Sequence, residues 1–130
     1  MAAHLQPEFV AASELGGPAL RAFFKLAEQW GLRISDQRRL LGDPPESTFY
    51  KWKRQQEGSL GRDVLERISY LLGIYKDLQI LYPEPEFADR WVRLPNSHEL
   101  FGGRPALSLM TAGGIDGLYR VRRLLDGRRG

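Results

Sequence analysis

The longest regular pattern in this sequence is a run of apolar residues that recur every three or four positions between Leu60 and Leu81. Its members are Leu60, Val64, Leu65, Ile68, Leu71, Leu72, Tyr75, Leu78 and Leu81. This spacing places an apolar stripe along a helix, so the run predicts an amphipathic helix that packs on one side and ends before Pro83. Gly73 lies inside the run and should cost about 1 kcal/mol relative to alanine, which predicts a close helix contact or a local bend there.

Shorter helices are predicted on both sides of this one. Apolar residues at helical spacing follow Pro18 and stop at Gly31, and Ser35 is the candidate N-cap of a second helix that Gly42 ends. The remaining predicted helices cover about residues 45–55, 87–94, 105–110 and 115–125. Because no segment alternates polar and apolar residues for long enough to form a strand, we expect an all-α fold, a compact multi-helix domain with one core.

Composition limits the classes of protein to which the chain can belong. Its 42% hydrophobic and 27% charged residues are typical of a soluble globular domain. No apolar run approaches the roughly 18 residues that cross a bilayer. The absence of cysteine excludes disulfides, a thiol nucleophile and thiolate metal sites. Residues 1–15 lack the basic and apolar segments of a signal peptide, so we expect a cytoplasmic protein.

Residues 35–55 have the parts of a helix-turn-helix, whose second helix reads DNA. In that second helix Phe49 and Trp52, three residues apart, would face the core. Hydroxyl, lysine and arginine groups on the outer face could contact bases and phosphates. These candidate DNA-binding residues are Ser47, Thr48, Tyr50, Lys51, Lys53 and Arg54. The net charge of +3 permits this function without requiring it, and a solvated basic helix face has the same pattern.

A second basic cluster stands at the end of the sequence. It comprises Arg120, Arg122, Arg123, Arg128 and Arg129. The apolar face of the last predicted helix, formed by Ile115, Leu118, Val121 and Leu125, would hold that helix on the core. We expect the residues beyond Leu125 to be free to enter a cleft on a partner, since guanidinium groups suit contacts with carboxylates and are favoured in interfaces. Solvated arginines without a partner are the alternative.

Two glycine-rich segments remain open to more than one interpretation. The sequence FGGR at residues 101–104 is either an exposed binding loop or a turn in which Phe101 plugs the core and the glycines adopt positive φ. The turn is favoured for Phe101 and Gly102, and Arg104 stays open. The sequence GGIDG at residues 113–117 lacks the Lys-Ser/Thr ending of a phosphate-binding loop, so we interpret it as a flexible helix entry.

No combination of residues predicts catalysis. His4 and His98 have no second histidine at ligand spacing, and the carboxylates form no recognisable acid–base or nucleophilic set. The three tryptophans occupy positions on helix faces that are typical of a core. We therefore expect a protein that is not an enzyme and that uses no metal or cofactor.

The sequence as a whole resembles the Xre/MbcA/ParS antitoxins. In the first half the resemblance depends on STFYKWKR at residues 47–54, which is similar to an Xre recognition helix. In the second half it covers residues 64–130 through four segments: LERISYLLGIYK (65–76), LPNS (94–97), FGGRPAL (101–107) and VRRLLDGRRG (121–130). The turn before the recognition helix is one residue longer than is usual in Xre proteins and richer in proline.

The resemblance implies an organisation and a function. Residues 1–17, which have no sustained apolar period and are predicted to form a loose arm, would precede a helix-turn-helix region (18–63) that binds operator DNA. Residues 64–130 would bind a RES-domain toxin that consumes NAD or transfers ADP-ribose. The implied toxin contacts are Arg104, Arg120, Arg123, Arg128, Arg129 and Gly130. The antitoxin would repress its own operon as a homodimer within a larger complex. The alternative is a stand-alone transcriptional regulator whose second half serves only for dimerisation.

Overall fold

The computed structural model of the protein describes the backbone of residues 7–130 and the side chains of residues 16–130. These residues form seven α-helices: α1 (Pro7–Gln29), α2 (Ile34–Leu40), α3 (Glu46–Gln55), α4 (Arg62–Leu81), α5 (Pro85–Arg90), α6 (Ala106–Ala112) and α7 (Gly114–Arg129). A 3-10 turn, Trp91–Arg93, follows α5. Over the described range β-structure is limited to one bridge between Pro95 and Pro105. The all-α expectation is confirmed.

Helix α4 lies at the centre of the fold and packs against α1, α5 and α7. Its predicted apolar stripe faces inward: Ile68, Leu71 and Leu78 are buried, and the stripe residues between them are partly buried. Each fully buried large apolar side chain contributes about 1.5–3 kcal/mol relative to exposure. Phe23 of α1 and Trp30, directly after α1, complete this core. None of the helices in residues 7–130 is long and apolar enough to cross a membrane.

Helix α1 begins at Pro7, well before the start that the sequence predicts at Pro18. Pro18 lies inside the helix, although proline removes a backbone donor there. Gly16 is buried against the loop that follows α3, and a Cβ atom on it would collide with the carbonyl oxygen of Gly58. The glycine pair before Pro18 therefore permits a close contact and does not end a helix. Residues 1–6 of the predicted arm lie outside the described residues.

The prediction of Ser35 as the N-cap of α2 is wrong. Arg33 occupies the cap with extended backbone, and the helix begins at Ile34 without a side-chain cap. The first turn is held from inside instead, because the buried side chain of Gln37 donates from Nε2 to the carbonyl oxygen of Leu32 over 2.9 Å.

The turn from α2 to α3 sets the position of the candidate DNA-reading helix. Gly42 and Asp43 both have positive φ, at 92° and 55°. The Asp43 amide donates to the carbonyl oxygen of Arg38 over 2.9 Å, and the Arg38 guanidinium donates to the carbonyl oxygen of Pro44 over 3.2 Å. These two hydrogen bonds join the proline-rich turn to α2, and Pro44 within the turn is buried.

Three glycines let the helices of the C-terminal half approach one another. A Cβ atom on Gly73 in α4 would lie 2.5 Å from Nε of Arg122 in α7, so the predicted close helix contact is confirmed. At the junction of α6 and α7, Cβ atoms on Gly113 and Gly117 would collide with the carbonyl oxygen of Leu109. The GGIDG segment is a helix entry, as predicted, because α7 begins at Gly114. It is a close helix crossing, in contrast to the predicted flexible segment.

Candidate functional site

Helix α3 is fixed to the core by the two aromatic residues that its sequence predicts to face inward. Phe49 is fully buried, with an edge-to-face contact to Phe24 of α1 at 5.8 Å between ring centroids. Trp52 is partly buried against the same core. The far end of α3 is attached to α1 as well, because the Arg21 guanidinium donates to the carbonyl oxygen of Gln56 over 3.3 Å.

The opposite face of α3 presents the predicted polar side chains to solvent. Five of the six candidates are exposed, namely Ser47, Tyr50, Lys51, Lys53 and Arg54. Thr48 is half-buried, so it is the least accessible of the set. The cations cluster in the last turns, where they also offset the negative end of the helix dipole. The structure thus brings together a rigid helix with an uninterrupted polar and basic outer face.

The arginines of α7 contact several different residues. Arg120 pairs with Asp116 over 2.9 Å on the exposed side, and Arg123 donates to the Tyr119 hydroxyl over 2.8 Å. The predicted apolar face holds the helix on the core, since Leu118, Val121 and Leu125 are fully buried. Ile115, the fourth predicted member of that face, is only partly buried.

The end of α7 is anchored to α4, so the expectation that this tail is free is wrong. The Arg129 guanidinium lies 2.8 Å from the carboxylate of Asp77, which is only 1% exposed. Arg128 donates to the Tyr82 hydroxyl over 3.4 Å. A buried carboxylate is strongly destabilising unless a cation and hydrogen bonds satisfy it. Arg129 supplies the cation and a hydrogen bond to Oδ1 of Asp77, which is a role that sequence reasoning missed. The signal was Asp77 itself, an acidic residue one helical turn after Ile74 and next to Leu78 in the buried stripe.

A second carboxyl group, that of Asp126, interacts with Asp77. A hydrogen bond to the Asp77 carboxyl raises the pKa of Asp126, and burial and the negative charge of Asp77 act in the same direction. The nearby cations Arg122 and Arg129 oppose the rise without cancelling it. A hydrogen bond between two carboxyl groups needs a proton. When the carboxyl groups of Asp77 and Asp126 are both ionised, no donor among the described residues forms a hydrogen bond with Oδ2 of Asp77.

A patch of tyrosines and arginines borders this anchor on the surface of α4 and α7. Tyr70 and Tyr119 meet edge to face with centroids 6.1 Å apart, and the Arg122 guanidinium lies 5.9 Å from the Tyr70 ring centre. With Arg123 and Asp126 they line an open pocket of about 300 Å³. We call these five residues the Tyr/Arg patch. Tyrosine and arginine are the residue types enriched where protein partners bind most strongly.

The segment between the 3-10 turn and α6 is a structural turn, as favoured for Phe101 and Gly102. Phe101 is buried edge to face against Trp91 at 6.0 Å, and Gly102 has a φ of 59°. The Leu100 amide donates to Nδ1 of His98 over 3.0 Å, which gives that histidine a role in holding the loop. Arg104 remains exposed at the end of this turn.

Arg104 joins arginines from the other half of the chain. It lines an open groove of about 410 Å³ between α2 and α6. The charged residues of this groove, which we call the arginine groove, are Arg33, Asp36, Arg39, Arg93 and Arg104. Sequence reasoning did not connect the arginines of α2 to Arg93 and Arg104, because the connection depends on the packing of α2 against α6.

Comparisons with known proteins cover nearly all of the chain. Residues 10–73 match the model of the antitoxin Xre-like helix-turn-helix domain. Residues 77–130 match the model of the antitoxin Xre/MbcA/ParS C-terminal toxin-binding domain. A relative from Sinorhizobium fredii (strain NBRC 101917 / NGR234), "Uncharacterized protein y4oB", is 47% identical over 111 residues, which cover 85% of this chain and 84% of the relative. The two matched regions meet within α4.

Proposed function

Because the chain belongs to the Xre/MbcA/ParS antitoxin family, we propose that this type II antitoxin blocks a RES-type toxin and represses its own operon. The toxin would consume NAD or transfer ADP-ribose from it, and the antitoxin would act in the cytoplasm as a homodimer without catalysis of its own. The observation that carries the proposal is the separation of two polar surfaces on one core, the outer face of α3 and the Tyr/Arg patch on α4 and α7.

The outer face of α3 supports operator binding. Its exposed Lys51, Lys53 and Arg54 can neutralise phosphates, while Ser47 and Tyr50 add hydroxyl groups at the same surface. The buried Phe49 fixes the rotation of the helix, so these groups are preorganised. A fixed basic helix in a helix-turn-helix is the geometry that enters the major groove.

The double variant Lys51→Ala/Arg54→Ala tests this part. We expect weaker binding to the promoter fragment upstream of the gene and a slope of log K against log salt that falls by about two units, roughly one for each lost phosphate contact. The matched control is Lys76→Ala/Arg90→Ala, which removes the same charge from exposed positions on α4 and α5. Equal binding by the folded α3 variant and the control in mobility shifts over a salt series would remove α3 from the role.

The Tyr/Arg patch supports toxin binding. Tyr119 is 41% exposed, and Arg120 and Arg123 are exposed beside it. Tyrosines and arginines supply large contact area together with charge-assisted hydrogen bonds to a partner's carboxylates. Arg128, the exposed part of Arg129 and Gly130 would extend this contact surface along the end of α7.

Coexpression with the toxin encoded beside the antitoxin gene tests this second part, with cellular NAD as the readout. We expect Tyr119→Ala/Arg123→Ala to lose protection of NAD and keep operator binding. Lys51→Ala/Arg54→Ala, expressed from an inducible promoter, should show the reverse. Operator binding by a wild-type chain that never protects NAD would favour the stand-alone regulator instead.

A further inference from the structure

The arginine groove has a positive charge that no partner among the described side chains balances. Arg33 at the N-cap of α2 and Asp36 and Arg39 within the helix are spaced three residues apart, and all three line the groove opposite α6. Asp36 is only 6% exposed and lies 3.4 Å from Arg33, so the single carboxylate is already used. Within residues 16–130, Arg39, Arg93 and Arg104 form no ion pair through their side chains.

Three unpaired guanidinium groups around an open groove favour an anion with several oxygen atoms. Guanidinium binds phosphate and carboxylate in the same bidentate way, so chemistry alone does not choose between DNA and an acidic protein segment. The position of the groove favours DNA. In a helix-turn-helix the first helix crosses the DNA backbone while the second enters the major groove. Here that first helix is α2, which supplies Arg39 to the groove and has Arg33 at its N-cap.

The groove and α3 are also held in one rigid arrangement. Arg38, on another side of α2, is bonded to the carbonyl oxygen of Pro44 immediately before α3. Arg93 approaches the turn that leads into α2, since a Cβ atom on Gly31 would lie 3.6 Å from its guanidinium carbon. Two cations from the C-terminal half, Arg93 and Arg104, therefore line one groove with α2, and the first helix of a helix-turn-helix is the one that crosses the DNA backbone.

From this arrangement we infer that the arginine groove binds a backbone phosphate of the DNA that α3 contacts. Arg93 and Arg104 lie in the region that matches a toxin-binding domain, yet this assigns them to DNA. The sequence predicted a toxin contact for Arg104. The inference depends on the proposed DNA binding by α3, and it makes operator affinity a property of both halves of the chain packed together.

The experiment measures binding of the full chain to a fluorescent, mixed-sequence DNA duplex by anisotropy over a KCl series. We expect Arg93→Ala/Arg104→Ala to lower the slope of log K against log salt by about one to two units. Arg93→Lys/Arg104→Lys keeps the charge and should retain most of the slope. Lys76→Ala/Arg90→Ala serves as the control for lost charge outside the groove. Far-UV circular dichroism checks folding, and Arg93→Gln/Arg104→Gln replaces the alanine variant if that variant unfolds.

The outcomes separate the inference from the proposed function. Failure of the wild-type chain to bind DNA overturns both. If the wild type binds, Lys51→Ala/Arg54→Ala weakens binding, and the groove variant matches the Lys76/Arg90 control, then only the inference is overturned. A groove variant that keeps DNA affinity but no longer copurifies with the coexpressed toxin also overturns it, because the groove is then a protein-binding site. A lower slope for the groove variant alone supports it.

Discussion

Arg129 in the last turn of α7 and Asp77 in α4 are 52 residues apart in sequence, and their side chains meet at 2.8 Å. The Asp77 carboxylate is almost completely buried, whereas the Arg129 side chain is 38% exposed. The pair therefore has one member inside the core and one at the boundary with solvent. It joins the C-terminal end of the chain to the central helix, and the same boundary carries the Tyr/Arg patch proposed to meet the toxin.

Removal of Arg129 should destabilise the whole fold. Arg129→Ala leaves the Asp77 carboxylate buried without its cation, and loss of one member of a buried pair costs about 3–5 kcal/mol. We expect the lower end of that range, because Arg129 is partly exposed and water can replace it. Urea unfolding followed by circular dichroism measures the change.

Two further variants identify the cause. Arg120→Ala, which breaks the exposed pair with Asp116, should cost at most about 0.5 kcal/mol. Asp77→Asn in the Arg129→Ala background removes the buried charge and should recover part of the loss. Equal stability of the Arg129→Ala and Arg120→Ala proteins would show that Asp77 does not need its cation. A deletion after Leu125 confounds loss of toxin contacts with loss of this pair, so point variants are required to study the tail.

Asp126 should give stability a dependence on pH. Its pKa is raised from 3.8 by the hydrogen bond to Asp77, so protonation of Asp126 favours the folded state. This contribution is fully present below pH 3.8 and is lost as the pH rises through the raised value. Asp126→Asn should therefore raise the melting temperature at neutral pH and have little effect at a pH below 3.8. The gain is small, less than about 1 kcal/mol, because solvent screens this exposed group. A gain of equal size at both pH values would contradict the assignment.

Sequence periodicity predicts the elements of this fold well where one strong pattern controls them. The apolar stripe of α4 and the inward residues of α3 follow from spacing alone, because a helix that buries one face must place its apolar residues every three or four positions. The inward orientation of Phe49 and Trp52, and with it the exposed face of α3, could therefore be predicted from the sequence.

The failures have a different physical origin. Gly16, Gly113 and Gly117 look like helix breakers, yet each permits contact with a backbone carbonyl from a distant or adjoining segment. The partner of Asp77 and the arginine groove depend on which helices pack together, and local spacing carries no information on that. Sequence reasoning could have identified the buried aspartate as a group that needs a cation, but it could not have identified Arg129.

Because α6 and α7 cross closely, alanine substitutions at two glycines of α7 should change the stability of the protein in opposite directions. At Gly117 a Cβ atom would collide with the Leu109 carbonyl oxygen, whereas at Gly127 it would meet nothing among the described residues within 4 Å. We expect Gly117→Ala to destabilise the protein by about 1–3 kcal/mol through overpacking. Gly127→Ala should stabilise it by about 0.5–1 kcal/mol through helix propensity. Thermal unfolding of the two variants makes the comparison, and a stabilising Gly117→Ala would disprove the close crossing.

Operator recognition should require two copies of the chain. Helix α3 has 10 residues and only part of its surface is polar, so one copy reads few base pairs. A symmetric dimer doubles the reading surface and places the two recognition helices in successive major grooves, about 10 base pairs apart or a multiple of that spacing. Footprinting on the upstream promoter should then show two protected half-sites related by a dyad, with binding that depends on dimer formation. Sedimentation velocity of the protein–DNA complex gives its stoichiometry. One undivided protected site that holds a single chain at saturation would mean that α3 acts alone, and specificity would then have to come from its own base contacts and the shape of the DNA.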